Sequence, residues 1–537
     1  MASQSQMALP ELKSRRRRNF AHFMGYRRPP PGRWRTLLLF LVLFGVSGIA
    51  GLTIATLPAA RLSLFAIPIA LLSGLIIWLL PEGATPPTRF MRQMFFAYFV
   101  AVIVWPYYIA IDIPGFPLIE IRRAFLALAV LMLGVSLSIS REFRREIADI
   151  FRASPLFTKL FLGFLAFQLL SVPFARDLRT GISFYVKDQL GWTAVLVMAA
   201  YIFSRPGKIL LWSAILRTLA IFLAFLAFAE YKNQALLWID HIPSFLSISD
   251  PEIALRQLAP HFRNGLYRVK GTFIVSLALA EWFALTTPFF LYYVLFGKKM
   301  LLRAICAVAD ILVFVAADLT QARIGMVGFL VTHTLFIAAW ALRARQQKGN
   351  TLLPTAVLAA YPAMFCAIVV AVLTVDRLRI SVLGGGTQAA SDQGRREQMI
   401  AAIPKVLERP LTGYGPGQAA LSVGWTNPQG DVSLDTYVVS ILVDYGIIGF
   451  FCYVGMMGVA AVQGLKLGMI SKSEESGYAL AGGVTVLAWL ACQVALSQED
   501  NASMVFMVLG MILALAYRQA RETEGHGFST SSGQLDS

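Results

Sequence analysis

The positions of arginine raise the first chemical question in this chain. Arg268 stands in YRVKGTF (267–273) and Arg323 in LTQARIGMVGFL (319–330). Arg395 and Arg396 open GRREQMIAAIPKVLERPLTGYGPG (394–417). Arg268 and Arg323 each sit at the end of a long apolar run, where burying a lone guanidinium is costly and calls for an anionic partner. The planar, bidentate donors of arginine suit phosphate or carboxylate. Two or three of them could neutralise a diphosphate and stabilise it as a leaving group, which is electrostatic catalysis without a metal. Lys270 adds a cation beside Arg268. Gly413, Gly415 and Gly417 form a turn that could serve as a hinge or allow close helix packing. GYGPG is not a phosphate loop, because the following Lys-Ser/Thr and the preceding strand are missing.

Composition says what must hold these residues. Of 537 residues, 57% are hydrophobic and 14% charged, and a soluble protein would carry about twice that charge. The apolar residues fall in blocks of about 20, the length that crosses a bilayer as helix. The fold class is therefore all-α, a polytopic integral membrane protein of about 14 transmembrane helices. The helices are placed near 36–57, 61–80, 94–112, 119–140, 156–173, 184–203, 209–229, 272–296, 300–319, 323–342, 352–375, 435–464, 478–497 and 502–518.

A net charge of +17 would point to nucleic acid in a soluble protein. Here the cytoplasmic loops of a membrane protein account for it. RRRR (15–18) and RRPPPGRWR (27–35) make residues 1–35 a basic cytoplasmic arm facing lipid. Residues 36–518 form the membrane domain and 519–537 a cytoplasmic tail. The block 36–57 lacks a clear cleavage site and reads as a retained helix. Cys306, Cys366, Cys452 and Cys492 all lie in apolar runs, without metal or disulfide spacing. No His/Asp/Glu cluster has ligand spacing, so no metal and no cofactor is expected.

Alternating sides from a cytoplasmic N-terminus leaves TRFMRQ, REFRREIADIFR, SRPGK and GKKMLLR inside, as the positive-inside rule requires. Both termini are then cytoplasmic, and two long loops, 230–271 and 376–434, lie outside. DPEIALRQLAPHF and GRREQMIAAIPKVLERP carry apolar residues at helical spacing and predict short amphipathic helices there. The outer side is nonetheless rich in cations, including Arg122, Arg123, Arg176, Arg179, Arg256 and Arg263. It offers no ATP. A lipid-linked diphosphate fits, with phosphates at headgroup level and its lipid in the bilayer. Within the membrane, Glu281, Asp310 and His333 read as interhelical hydrogen-bonding groups that fix packing, and Asp444 with Gly446 as packing and pairing.

With LDTYVVSILVDYGIIGF (434–450), the segments above resemble the bacterial O-antigen ligase and O-antigen polymerase superfamily, over roughly residues 265–450. The resemblance implies a membrane glycosyltransferase of the bacterial cytoplasmic (inner) membrane, working at its outer face. Its donor would be a polyprenyl-diphosphate-linked glycan, undecaprenyl in this family, and its acceptor a second glycan. Membrane lipids and other polysaccharide-assembly proteins would be its partners, and nucleic acid would not. Arg268 and Arg323 match the arginines thought to hold the diphosphate, Arg395 the loop arginine, and Gly413, Gly415 and Gly417 the glycine turn. Arg396 and Lys270 extend the substrate-binding set.

Three positions depart from the family pattern. Asp435 stands where ligases place a histidine, Thr436 where they place an asparagine, and Ala322 where a serine precedes the arginine. The missing histidine favours a polymerase-like member. Asp435 is either a helix-start carboxylate or N-cap, or the general base of an inverting transfer. The expected activity is polymerisation of lipid-linked repeats into exopolysaccharide or O-antigen. A ligase with a lipid or protein acceptor, a transporter, and an inactive assembly partner are the alternatives. A transporter would organise midplane charges around an internal repeat, and no repeat is visible.

Overall fold

The computed structural model describes residues 34, 74–77, 80, 82, 85–107, 109–111, 120–243, 246–248, 258–263, 265–348, 352–375, 389–426, 430, 432–471, 473–494, 496 and 500–532. The elements run α1 (Thr88–Val104), β1 (Ile109–Ile111), α2 (Ile121–Ile139), α3 (Arg141–Arg152), α4 (Pro155–Ser171), α5 (Leu178–Asp188), α6 (Val195–Phe203) and α7 (Lys208–Asn233). There follow β2 (Leu246–Ile248), β3 (Phe262–Arg263), β4 (Leu266–Tyr267), α8 (Ser276–Phe296), α9 (Met300–Leu319), α10 (Arg323–Lys348) and α11 (Leu352–Thr374). The last are α12 (Ala389–Glu408), α13 (Ala419–Val423), α14 (Tyr437–Ile470), α15 (Glu474–Gln493) and α16 (Ala502–Ser532).

The protein is an all-α polytopic membrane protein. Eight helices among the described residues are long and apolar enough to cross a bilayer. The expected helices from 119–140 onward each coincide with a helix here, within a few residues at most ends, whereas the one expected over 94–112 runs from Thr88 to Val104 and residues 109–111 form β1, paired with β2. The expected helix 36–57, most of 61–80 and the basic arm lie outside the described residues. The segment expected as 184–203 starts earlier. Asp177 caps α5 by accepting the Arg179 N–H at 3.1 Å, and a π-helical stretch, Gln189–Ala194, links α5 to α6. The helix expected over DPEIALRQLAPHF also falls mostly outside the described residues. At its end β3 and β4 form a small antiparallel hairpin, with Phe262 opposite Tyr267.

The chain divides into two compact units, residues 1–88 with 131–144, and residues 89–130 with 145–537. In the first, Arg144 pairs with Glu82 at 2.9 Å and donates to the carbonyls of Leu137 and Ser138. In the second, α8 is the central helix. Its residues from Ala278 to Phe290 are all buried, and it packs against α9, α10 and α15. α14 packs along α15 and α4, and α16 along α6. Trp212 anchors an aromatic cluster, with its ring 5.5 Å from Phe99 and 5.3 Å from Phe289.

The intramembrane ionisable groups are spent on packing, as the sequence leads one to expect. Glu281 accepts from Gln493 Nε2 and Asn501 Nδ2, both at 2.9 Å, and so ties α8 to α15 and to the start of α16. Asp310 on α9 meets His333 Nε2 on α10 at 2.9 Å.

Candidate functional site

Arg268 and Arg323 come together at one turn. The segment after β4 runs alongside the link between α9 and α10. There the Val269 N–H donates to the Leu319 carbonyl at 3.2 Å, and Arg268 Nε donates to the Thr320 carbonyl at 3.1 Å. Arg263 Nη1 reaches the Gln321 carbonyl at 3.5 Å, at the limit of a hydrogen bond. Arg323 is the first residue of α10. Three arginines thus gather on residues 319–323. Burial lowers the pKa of Arg268, and the charge of nearby Arg263 lowers it further. Arg323 also adds its charge to the positive end of a helix dipole. Such an arrangement gains most when an anion enters. Gly325 lets the first turn of α10 pack closely on α8, because a Cβ there would lie 2.4 Å from that of Ala280.

A buried carboxylate shapes the motif from below. Glu230, near the end of α7, is 1% exposed. It accepts the Tyr267 hydroxyl at 3.0 Å and the N–H groups of Lys270 at 3.2 Å and Gly271 at 2.8 Å. Lys270 itself is 2% exposed. Burial lowers its pKa, and the Glu230 charge opposes that shift. On sequence grounds Lys270 faces substrate. In the structure it is buried beside Glu230.

Asp435 belongs to a second group. Thr436 holds the N-cap position of α14, so Asp435 lies just outside the helix and is not its cap. The Asp435 N–H donates to Gln398 Oε1 at 2.7 Å. Gln398 lies one turn after Arg395 on α12, so that helix sets both Arg395 and Asp435. Arg395 is half-buried and Arg396 exposed. Trp425 fixes the start of α12, donating to Glu397 at 3.3 Å and covering Gly394. Met399, Ile400, Ile403 and Leu407 are exposed on this helix, an apolar stripe suited to the boundary between lipid and water. The two groups belong to one packed framework, since α10, headed by Arg323, packs against α14.

Of the two uses expected for the glycine turn, hinge and close helix packing, its contacts match the second. Tyr414 and Gly415 donate their N–H groups to the carbonyls of Val443 and Asp444, each at 3.0 Å. The Asp444 carboxylate accepts the N–H groups of Gly417 and Gln418, again at 3.0 Å. In return, Ile447 donates to the Pro410 carbonyl at 2.7 Å, next to a break in α14 at Gly446, where φ is +71°. Gly413, Gly415 and Gly417 all have positive φ. A Cβ on Gly415 would come 3.0 Å from the Ala175 backbone, and one on Gly417 would strike the Phe184 ring at 2.5 Å. Close approach, not mobility, demands glycine here. Gly415→Ala is therefore expected to destabilise the protein by roughly 1–3 kcal/mol through backbone strain alone. Thermal unfolding in detergent or lipid discs checks this. A wild-type midpoint combined with slowed turnover would restore the hinge.

Sequence reasoning missed Glu230 and Gln398. An acid closing an apolar run was the available signal for Glu230. Gln398 carried none, because only the fold brings α12 to residue 435. Among the described residues, no three His, Cys, Asp or Glu side chains gather as metal ligands would.

Residues 272–454 match the family model Wzy_C, described as O-antigen ligase. They include Arg323, Arg395, the glycine turn and Asp435, while Arg268 falls just before the matched region. No match was found among curated proteins.

Proposed function

From a chain that carries an O-antigen ligase domain over residues 272–454, we propose that the protein polymerises glycan repeat units carried on polyprenyl diphosphate. It works at the outer face of the bacterial cytoplasmic membrane, with both termini cytoplasmic, and makes a surface polysaccharide, an exopolysaccharide or O-antigen. The family implies a glycan-transferring membrane enzyme with a lipid-linked glycan and an acceptor as substrates. The convergence of Arg263, Arg268 and Arg323 on residues 319–323 carries the finer reading. These guanidinium groups bind the donor diphosphate and take up the charge that develops as it leaves. Asp435 removes the proton of the acceptor hydroxyl. That oxygen attacks the anomeric carbon as the bond to the diphosphate breaks, in one inverting displacement. Arg395 and Arg396 on α12 hold glycan near Asp435. The charge stabilisation comes from guanidinium groups, so turnover is expected to persist in EDTA.

The family's own description favours a second reading, ligation of glycan to a lipid or protein acceptor. Lipid-linked glycans from a strain lacking the gene separate the two. Loss of a polymerase leaves single repeat units on the carrier. Loss of a ligase leaves long polymer on the carrier, and that outcome would overturn polymerisation.

A further inference from the structure

A second cationic pocket lies beside Thr272 and Phe273, outside the Arg268–Arg323 group. It is a cavity of about 150 Å³ lined from the end of α1, the start of α2, the junction of α5 with the π-helical stretch, residues 272–274, and residues 500 and 503 around the start of α16. Arg122, Arg123 and Lys187 line it, with Asp500 as the acidic side chain. Neither Arg268 nor Arg323 does. Arg122, Arg123 and Lys187 all lie before the region matched to the O-antigen ligase family.

The pocket is built. The Arg122 side chain is 15% exposed, and its Nε and Nη2 donate to Glu120 Oε2 at 2.9 and 2.8 Å. Its guanidinium lies 3.2 Å over the Tyr107 ring. Carboxylate and ring together hold it in one orientation before any ligand arrives. Arg123 donates to the other Glu120 oxygen at 2.9 Å and reaches the rim. Lys187 also lies at the rim, 4.6 Å over the Phe184 ring. Arg122 and Arg123 thus share Glu120, and Lys187 and Asp500 line the same cavity. Arg122 and Arg123 occupy the first turn of α2, where the helix dipole is already positive. The rest of the lining is largely aromatic, with Trp105, Tyr107, Trp192 and Phe273. Trp105 is held by its Nε1 bond to the Ile109 carbonyl at 2.8 Å, and Trp192 sits in the π-helical stretch, a feature often found at functional sites.

Cations held beside fixed aromatic faces suit a phosphate joined to a sugar, the phosphate on the guanidinium and the ring against the aromatics. The volume equals roughly five water molecules' share of the liquid. It holds a diphosphate or one sugar ring and not a whole repeat unit, so the remaining glycan must lie outside it. We propose that this pocket is a phosphate subsite for the second lipid-linked glycan, the acceptor, separate from the donor site at Arg268 and Arg323. Naming that ligand the acceptor rests on the polymerising reading above. The anion site itself rests on Arg122, Arg123 and Lys187.

The test is calorimetric titration of the full chain in phosphatidylcholine nanodiscs with farnesyl diphosphate as probe. Wild type is expected to bind two equivalents. Arg122→Gln combined with Lys187→Gln should remove one, and Arg268→Gln combined with Arg323→Gln should remove the other. Lys187→Gln alone changes an exposed rim residue and keeps the fold safe. It should weaken one of the two equivalents by about tenfold, the loss of one charge-assisted contact. The equivalent remaining in the Arg122→Gln/Lys187→Gln protein serves as its folding control. Two equivalents at wild-type affinity in both of those variants would overturn the subsite. Two equivalents in the Arg268→Gln/Arg323→Gln protein would instead displace the donor site and leave this pocket standing. Inorganic pyrophosphate should fill the pocket more weakly than the farnesyl ester. Equal affinity would overturn its assignment to a lipid-borne phosphate.

Discussion

Replacing Arg323 with lysine is expected to cut turnover roughly 30- to 1,000-fold, on the order of 2–4 kcal/mol of transition-state stabilisation. The charge survives this change, but the bidentate fork does not. Arg323 heads α10 beside the Thr320 and Gln321 carbonyls that accept from Arg268 and Arg263. A lysine there would present one compact, strongly hydrated ammonium where a planar group can span two phosphate oxygens. Arg323→Ala should be worse and should also weaken donor binding, because it removes the charge. Packing should hold in either case, since Gly325 and Ala280, not the arginine side chain, set the contact between α10 and α8. Steady-state turnover and donor affinity measured with lipid-linked substrate check both variants. Wild-type kinetics in Arg323→Lys would remove the main physical support for diphosphate recognition at this turn.

Asp435→Asn is expected to give a different signature. It removes a proton acceptor and leaves the arginine turn untouched. Turnover should fall by roughly 10²- to 10⁴-fold, the usual range for general-base catalysis, while donor affinity stays near wild type. Structural damage should be small. Thr436, not Asp435, occupies the N-cap of α14, and the bond to Gln398 uses the Asp435 backbone N–H, which asparagine keeps. Gln398→Ala supplies a second measurement. It leaves the carboxylate but frees its backbone, so turnover should fall less than in Asp435→Asn. Near-normal turnover in Asp435→Asn would mean that the proton goes to another group.

Hydropathy and the placement of charge were enough to set the fold class and the chemistry to look for. Apolar blocks of bilayer length must become helices, because backbone groups in lipid have to be satisfied within their own segment. Helix positions from residue 119 onward therefore followed from hydropathy. Arg268 and Arg323 stood out because a guanidinium at the edge of an apolar run needs an anion. Asp310 and His333, or Glu281, announced themselves as packing groups for the same reason of burial.

Which residues share a site, and what the glycines do, came from long-range packing. Glu230 and Gly271 are far apart in sequence, and no local spacing says that one carboxylate will gather the N–H groups of the other's motif. The sequence put Lys270 on the substrate, and the fold buried it against that carboxylate. GYGPG read as either a hinge or a close-packing turn, because glycine's backbone freedom is a local property that serves both. Once Asp444 on a distant helix accepts the N–H groups of Gly417 and Gln418, and Ala175 and Phe184 fill the space a Cβ would need, that freedom is spent on close contact. Hydrogen bonds and contacts of this kind depend on which helices pass each other. Helix crossing is set by side-chain packing across the whole membrane bundle, which no single stretch of sequence encodes.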